Sequence, residues 1–136
     1  MTLLATRDDE RFTTSRTEID RGGVTYTLDT LKELSAPGVE LYFVVGADAL
    51  AQVPTWRDPE AMFALATFVG ATRPGYVVDV SAFPPGAVTL VDTTPLDVSG
   101  TDLRSRVAVG APIRYLVPDA VADYIAEHGL YLRESA

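Results

Sequence analysis

Apolar residues recur along this chain in two rhythms. Leu28, Leu31 and Leu34 share one face at helical spacing, so the sequence predicts a helix there. Thr27 stands as its cap, with Asp29 in the first turn and Pro37-Gly38 as its end. Leu41-Tyr42-Phe43-Val44-Val45 is an unbroken apolar run, as expected of a strand covered on both faces. Asp58-Pro59-Glu60 opens a second helix with a capping carboxylate and a proline at its first position. A buried strand is predicted at Thr67 to Gly70 and a further strand at Ala87 to Val91. Thr101 to Val109 forms a short helix closed by Gly110, and Asp119 to His128 a last one closed by Gly129. In that last helix Val121, Tyr124 and Ile125 face inward. Met1 to Thr6 reads as the final turns of a helix, with no cap before it. Thr14 to Asp20 alternates weakly and is predicted as a strand, broken by Arg21-Gly22-Gly23. Arg73-Pro74-Gly75-Tyr76 reads as a turn. Apolar strands separated by helices imply an α/β fold, a parallel sheet with helices on both faces. Such sheets bind ligands beyond the C-terminal ends of their strands.

The chain's 136 residues are read as one domain spanning residues 1–136. The absence of cysteine excludes disulfides and thiolate metal sites and fits a cytoplasmic location. No apolar stretch of about 18 residues occurs, so no membrane-spanning helix is expected. A net charge of -8 argues against a general nucleic-acid binder. It leaves room for a small nucleotide, because one arginine can hold a phosphate on an acidic protein. Nothing in the sequence bears on oligomeric state.

Four places could carry chemistry, and each has a plain structural reading beside the functional one. Gly46 and Asp48 follow the first apolar strand. There a glycine admits a ligand to the backbone and an aspartate can accept from ribose hydroxyls; equally, Gly46 turns the chain and Asp48 caps a helix. Trp56, the only tryptophan, lies in a loop between helices. It suits a stacking platform for a flat heterocycle, or a lid over a helix end. Tyr26 and Thr27 stand at a helix start whose N–H groups suit a carboxylate, or they simply begin an ordinary helix. Ser99, Thr101 and Arg104 form a possible phosphate cradle, with Arg104 in a first turn where a cation is unfavourable unless an anion offsets it. The other reading makes Ser99 a cap with Asp102 as its third helical residue. His128, the lone histidine, closes the last helix and is not expected to be catalytic. No metal cluster with His or Cys spacing is present, and the carboxylates form no evident catalytic pair.

In order and spacing these segments resemble the nicotinate mononucleotide adenylyltransferases. The matching pieces are Gly22-Gly23-Val24-Thr25-Tyr26-Thr27-Leu28-Asp29-Thr30-Leu31, Leu41 to Leu50, Pro54-Thr55-Trp56, Thr72-Arg73-Pro74-Gly75-Tyr76, Val98-Ser99-Gly100-Thr101-Asp102-Leu103-Arg104, Leu116 to Val121 and Ile125 to Tyr131. The resemblance implies a Rossmann-like parallel sheet of the nucleotidylyltransferase type. It implies adenylyl transfer from ATP to nicotinate mononucleotide with Mg²⁺, releasing pyrophosphate, in NAD biosynthesis. It implies that Tyr26 and Thr27 hold the nicotinate carboxylate and that Trp56 stacks on the pyridine. Gly46 and Asp48 then line the adenosine side, Arg73 lies near phosphate, and Ser99, Thr101 and Arg104 hold the ATP phosphates.

Two departures stand out. The family's phosphate motif usually has a second serine where this chain has Gly100. The family also opens with a strand and a glycine-rich His-x-Gly-His loop that binds ATP, and that motif does not occur here. The fold is therefore expected to be N-terminally incomplete, by a misplaced start or a truncation, and the chain alone to catalyse poorly. The alternatives left open are a sister nucleotidyltransferase using another mononucleotide and a non-catalytic nucleotide-binding remnant. Tyr26-Thr27 with Pro54-Thr55-Trp56 speaks against the first.

Overall fold

The computed structural model describes residues 1–72, 78–94, 96 and 98–132. The chain divides into two compact units: Arg16–Pro95, and Met1–Ser15 together with Leu96–Ala136.

The first unit is built on a three-stranded parallel sheet in the order β1-β2-β3, with β1 Leu41–Gly46, β2 Ala66–Thr72 and β3 Val88–Asp92. The register sets Val45 beside Gly70 and Gly70 beside Leu90. Helices α2 (Thr17–Arg21), α3 (Thr27–Leu34), α4 (Ala47–Leu50) and α5 (Pro59–Leu65) belong to this unit. Its core joins Leu28 and Leu31 of α3, Leu50 of α4 and Met62 of α5 to Phe68 of β2, with Val53 between them. Phe43, Phe63, Phe68 and Phe83 continue it as a chain of tilted and edge-on rings 5.0–5.8 Å apart. Asp58 caps α5 as expected, its carboxylate accepting from the Ala61 N–H at 3.3 Å.

Several expectations are corrected here. Thr14 to Asp20 is not a strand, since Thr17–Arg21 is helical. Arg16 meets Asp20 at 3.1 Å, an i,i+4 pair that suits a helix. Glu18 accepts from Thr30 at 2.7 Å and Arg21 donates to Glu33 at 2.7 Å, so partners on α3 select the helix. Glu33 raises the Arg21 guanidinium's affinity for its proton further. Gly22 and Gly23, both at positive φ, then break this helix rather than a strand. Thr27 is not the cap of α3; Tyr26 holds that position and no side chain caps the helix. The helix also ends at Leu34, before Pro37-Gly38, and Leu34 is exposed. Leu41 to Val45 is not covered on both faces. Within this unit Leu41, Phe43 and Val45 pack on the core, while Tyr42 and Val44 are 62% and 67% exposed. The Arg73-Pro74-Gly75-Tyr76 turn lies outside the described residues.

The second unit holds α1 (Thr2–Thr6), α6 (Gly100–Ala108) and α7 (Asp119–Glu127). Val121 and Ile125 of α7 and Ile113 are its buried centre, with Leu4, Leu103, Val107 and Leu130 packed around them. Gly110 and Gly129 sit at positive φ just past the two longer helices, as predicted of helix ends. Among the described residues no helix is long and apolar enough to cross a membrane.

Candidate functional site

In the first unit, a cleft of about 300 Å³ is lined by Thr25, Tyr26, Thr27, Trp56, Arg57 and Met62. The folding that makes it is local. Val53, wholly buried, anchors a 3₁₀ turn over Val53–Thr55, with Pro54 at its start. The Thr55 hydroxyl donates to the Gln52 carbonyl at 2.7 Å, and the Trp56 N–H to the Val53 carbonyl at 2.9 Å. Trp56 leaves this turn in an extended conformation and sets its ring edge-on to Phe43, 6.3 Å away. It is half-buried against the core and still lines the cleft, so it is both packed and presented.

Tyr26 faces it from the start of α3. The Asp29 and Thr30 N–H groups turn back to the Tyr26 carbonyl, at 3.0 and 3.4 Å. With no capping side chain, the N–H groups of Thr27 and Leu28 have no partner among the described residues. Free N–H groups and the positive end of the helix dipole make this an anion-friendly corner. The sequence therefore named three residues, Tyr26, Thr27 and Trp56, that the fold brings to one cleft. It missed Arg57, whose guanidinium carbon lies 4.5 Å from the centre of the Tyr26 ring. Asp58, the acid next to it in sequence, has a left-handed backbone (φ 52°) and is spent on the α5 cap.

Gly46 ends β1 and Asp48 lies exposed in α4 just after it, at the C-terminal edge of the sheet. Gly46 has φ -66° and ψ 153°, which any residue adopts. Its lack of a side chain matters for space instead: a Cβ there would lie 3.0 Å from the Asp48 carboxylate. At the same edge the buried Thr72 donates to Asp92 at 2.5 Å, and the Thr93 hydroxyl donates to the Thr72 carbonyl at 2.8 Å. This pinned end of β2 leads directly to Arg73, which itself lies outside the described residues.

In the second unit, Ser99, Thr101 and Arg104 gather at the start of α6. Ser99 is the cap, accepting from the Asp102 N–H at 3.1 Å. The Asp102 carboxylate goes forward to Arg106 at 2.7 Å instead of back to Ser99. Arg104 folds toward the helix start and donates to the Thr101 hydroxyl at 3.2 Å. A Cβ on Gly100 would stand 3.0 Å from the Arg104 guanidinium, so the glycine leaves that space for the cation. His128 is exposed, stacks on Tyr124 at 3.9 Å and contacts its carbonyl at 3.0 Å, the helix-end role expected of it.

Size alone does not select the site. A larger groove of about 350 Å³ in the second unit has Arg114 and Asp123 as its charged side chains, and they are already paired at 3.5 Å.

No protein-family model matches the chain. Curated relatives do. It is 52% identical over 136 residues to the probable nicotinate-nucleotide adenylyltransferase of Streptomyces coelicolor, covering 98% of this chain and 72% of that protein. The protein of the same name from Nocardioides sp. is 52% identical, with 98% and 67% covered. That of Corynebacterium glutamicum is 51% identical, with 100% and 65% covered. The chain thus spans about two thirds of these relatives' length. Among solved structures it resembles Plasmodium falciparum nicotinic acid mononucleotide adenylyltransferase complexed with APC, at a TM-score of 0.62 and 24% identity, covering 81% of this chain and 60% of that one. The same enzyme complexed with NaAD gives a TM-score of 0.60, covering 79% and 58%. Those two likenesses give the fold, the Rossmann-like α/β sheet of nucleotidylyltransferases, and the curated relatives give the family: the chain belongs to the nicotinate-nucleotide adenylyltransferases.

Proposed function

We propose that this chain serves adenylyl transfer from ATP to nicotinate mononucleotide, forming nicotinate adenine dinucleotide and pyrophosphate in NAD biosynthesis. The observation that carries this is 52% identity to an enzyme of that name over 98% of the chain. In the reaction a phosphate oxygen of the mononucleotide attacks the α-phosphorus of ATP. The bond from that phosphorus to the bridging oxygen breaks, and pyrophosphate leaves with the electron pair. No covalent enzyme intermediate is needed, so the protein contributes positioning and charge stabilisation.

The residues divide that work. The Tyr26–Thr27 helix start takes the nicotinate carboxylate on its free N–H groups, and Trp56 stacks on the pyridine ring; their shared cleft supports both roles. Gly46 and Asp48 line the adenosine side, and Arg73 meets phosphate. Ser99, Thr101 and Arg104 hold the ATP phosphates, a role supported by a guanidinium lying at a helix start with no carboxylate partner among the described residues. Mg²⁺ is the ion such a transfer employs. Among the described residues no group of three or more His, Cys, Asp or Glu could hold a metal ion. When bound, Mg²⁺ would neutralise charge on the triphosphate, and no step here is routed through it.

Titration calorimetry with ATP, nicotinate mononucleotide and nicotinamide mononucleotide tests the reading, alongside pyrophosphate release from ATP. The nicotinate form binds more tightly than the nicotinamide form, because a carboxylate suits a helix N-terminus and a carboxamide does not. Equal affinities would sink the carboxylate assignment. Failure to bind either ATP or mononucleotide would sink the function.

A further inference from the structure

Six of the eight described arginines sit on a carboxylate: Arg7, Arg11, Arg16, Arg21, Arg106 and Arg114. That is the expected state of a chain with 19 acidic residues against 11 basic ones. Arg104 and Arg57 are the exceptions among the described residues. Arg104 is accounted for by the phosphate role proposed above; Arg57 has no assigned role. It lies against the Tyr26 ring, in the cleft that Trp56 also lines. A guanidinium held over an aromatic face keeps its N–H donors free at the edge of its plane. The nearest acid in sequence, Asp58, is occupied at the start of α5. Tyr26 and Thr27, at a helix start whose first N–H groups have no partner among the described residues, line the same cleft.

We propose that Arg57 is a specificity-determining residue of the mononucleotide cleft, a cation poised on Tyr26 to meet the carboxylate borne by a pyridine ring stacked on Trp56. The inference rests on the adenylyltransferase reading and deepens it. A carboxylate is planar and accepts two parallel N–H bonds from a guanidinium. A carboxamide brings no charge and presents an NH₂ group to donors already facing it. Arg57 therefore separates acid from amide where the helix N-terminus alone offers only a partial charge. The ring end of the ligand is selected over its phosphate end because Arg57 follows Trp56 directly and touches the residue that opens α3.

The single tryptophan supplies the assay, since ligand stacking on Trp56 quenches its fluorescence. Nicotinate and nicotinamide mononucleotide are titrated into the wild-type chain and into Arg57→Gln and Arg57→Lys. Arg57→Gln loses about tenfold or more in affinity for the nicotinate form, as expected when a charge-assisted bidentate contact goes. Its affinity for the nicotinamide form is unchanged, which also certifies that the variant is folded. Arg57→Lys, keeping the charge without the fork, falls between. An equal loss on both ligands would overturn the proposal, since Arg57 would then serve the shared phosphate or brace Tyr26. Undiminished preference for the nicotinate form in Arg57→Gln would also overturn it, with the function left standing. A wild-type chain that binds neither ligand would overturn the function and the proposal together.

Discussion

Among the glycines of the first unit Gly70 has the least room for a side chain, and replacing it with alanine links the sheet to the candidate site. It lies buried in the central strand, between Val45 and Leu90 in register. A Cβ there would stand 2.5 Å from Leu50 Cδ2 and 2.8 Å from Leu90 Cδ2, well inside van der Waals contact. The two leucines differ in how they can yield. Leu90 is 41% exposed and can swing outward, whereas Leu50 is wholly buried. Relief must therefore come from moving α4, the four-residue helix that carries Asp48. Overpacking of this kind costs about 1–3 kcal/mol, and the immobile Leu50 points to the upper half of that range. Urea denaturation followed by Trp56 fluorescence should show a lower midpoint at an unchanged slope. Leu50→Ala alone should cost about 2–5 kcal/mol through the cavity it leaves. The double variant should then cost less than the sum, because the added methyl occupies part of that cavity. ATP affinity should fall in Gly70→Ala and recover in part in the double variant if Asp48 serves the nucleotide. Strict additivity of the two stability losses, or a neutral Gly70→Ala, would refute the packing argument.

The remaining predictions concern single contacts. Trp56→Ala should weaken mononucleotide binding by about 1–3 kcal/mol while leaving ATP binding nearly unchanged; a loss of thermal stability alone would favour the lid reading. Arg104→Ala should lower ATP affinity or turnover without destabilising the fold, because it removes a cation from a helix start and leaves the Ser99 cap intact. Ser99→Ala should instead cost about 1 kcal/mol of stability through the lost cap, measured by thermal melting.

Much of this architecture is legible in residue order because its causes are local. Proline after a capping aspartate starts α5, glycines at positive φ close α6 and α7, and Leu28 and Leu31, three residues apart, bury one side of α3. The strands announce themselves by apolar runs, and the resemblance that identifies the family rests on short segments whose spacing the sequence states outright. What the sequence left open were choices among competing partners and faces, some distant in the chain and some local. The alternation from Thr14 to Asp20 favoured a strand, yet Thr30 and Glu33 of α3 hold Glu18 and Arg21 and select a helix. Leu41 to Val45 reads as apolar throughout, but only packing decides which faces are covered, and here Tyr42 and Val44 are not. Ser99 caps α6 by accepting from the Asp102 N–H, which leaves its O–H able to donate to a phosphate. Arg57 stood beside two acids in sequence and beside neither in use, since the backbone of Asp58 turned its carboxylate to Ala61. A side chain's hydrogen-bonding capacity is finite, and which partner claims it depends on distances that only the folded chain sets.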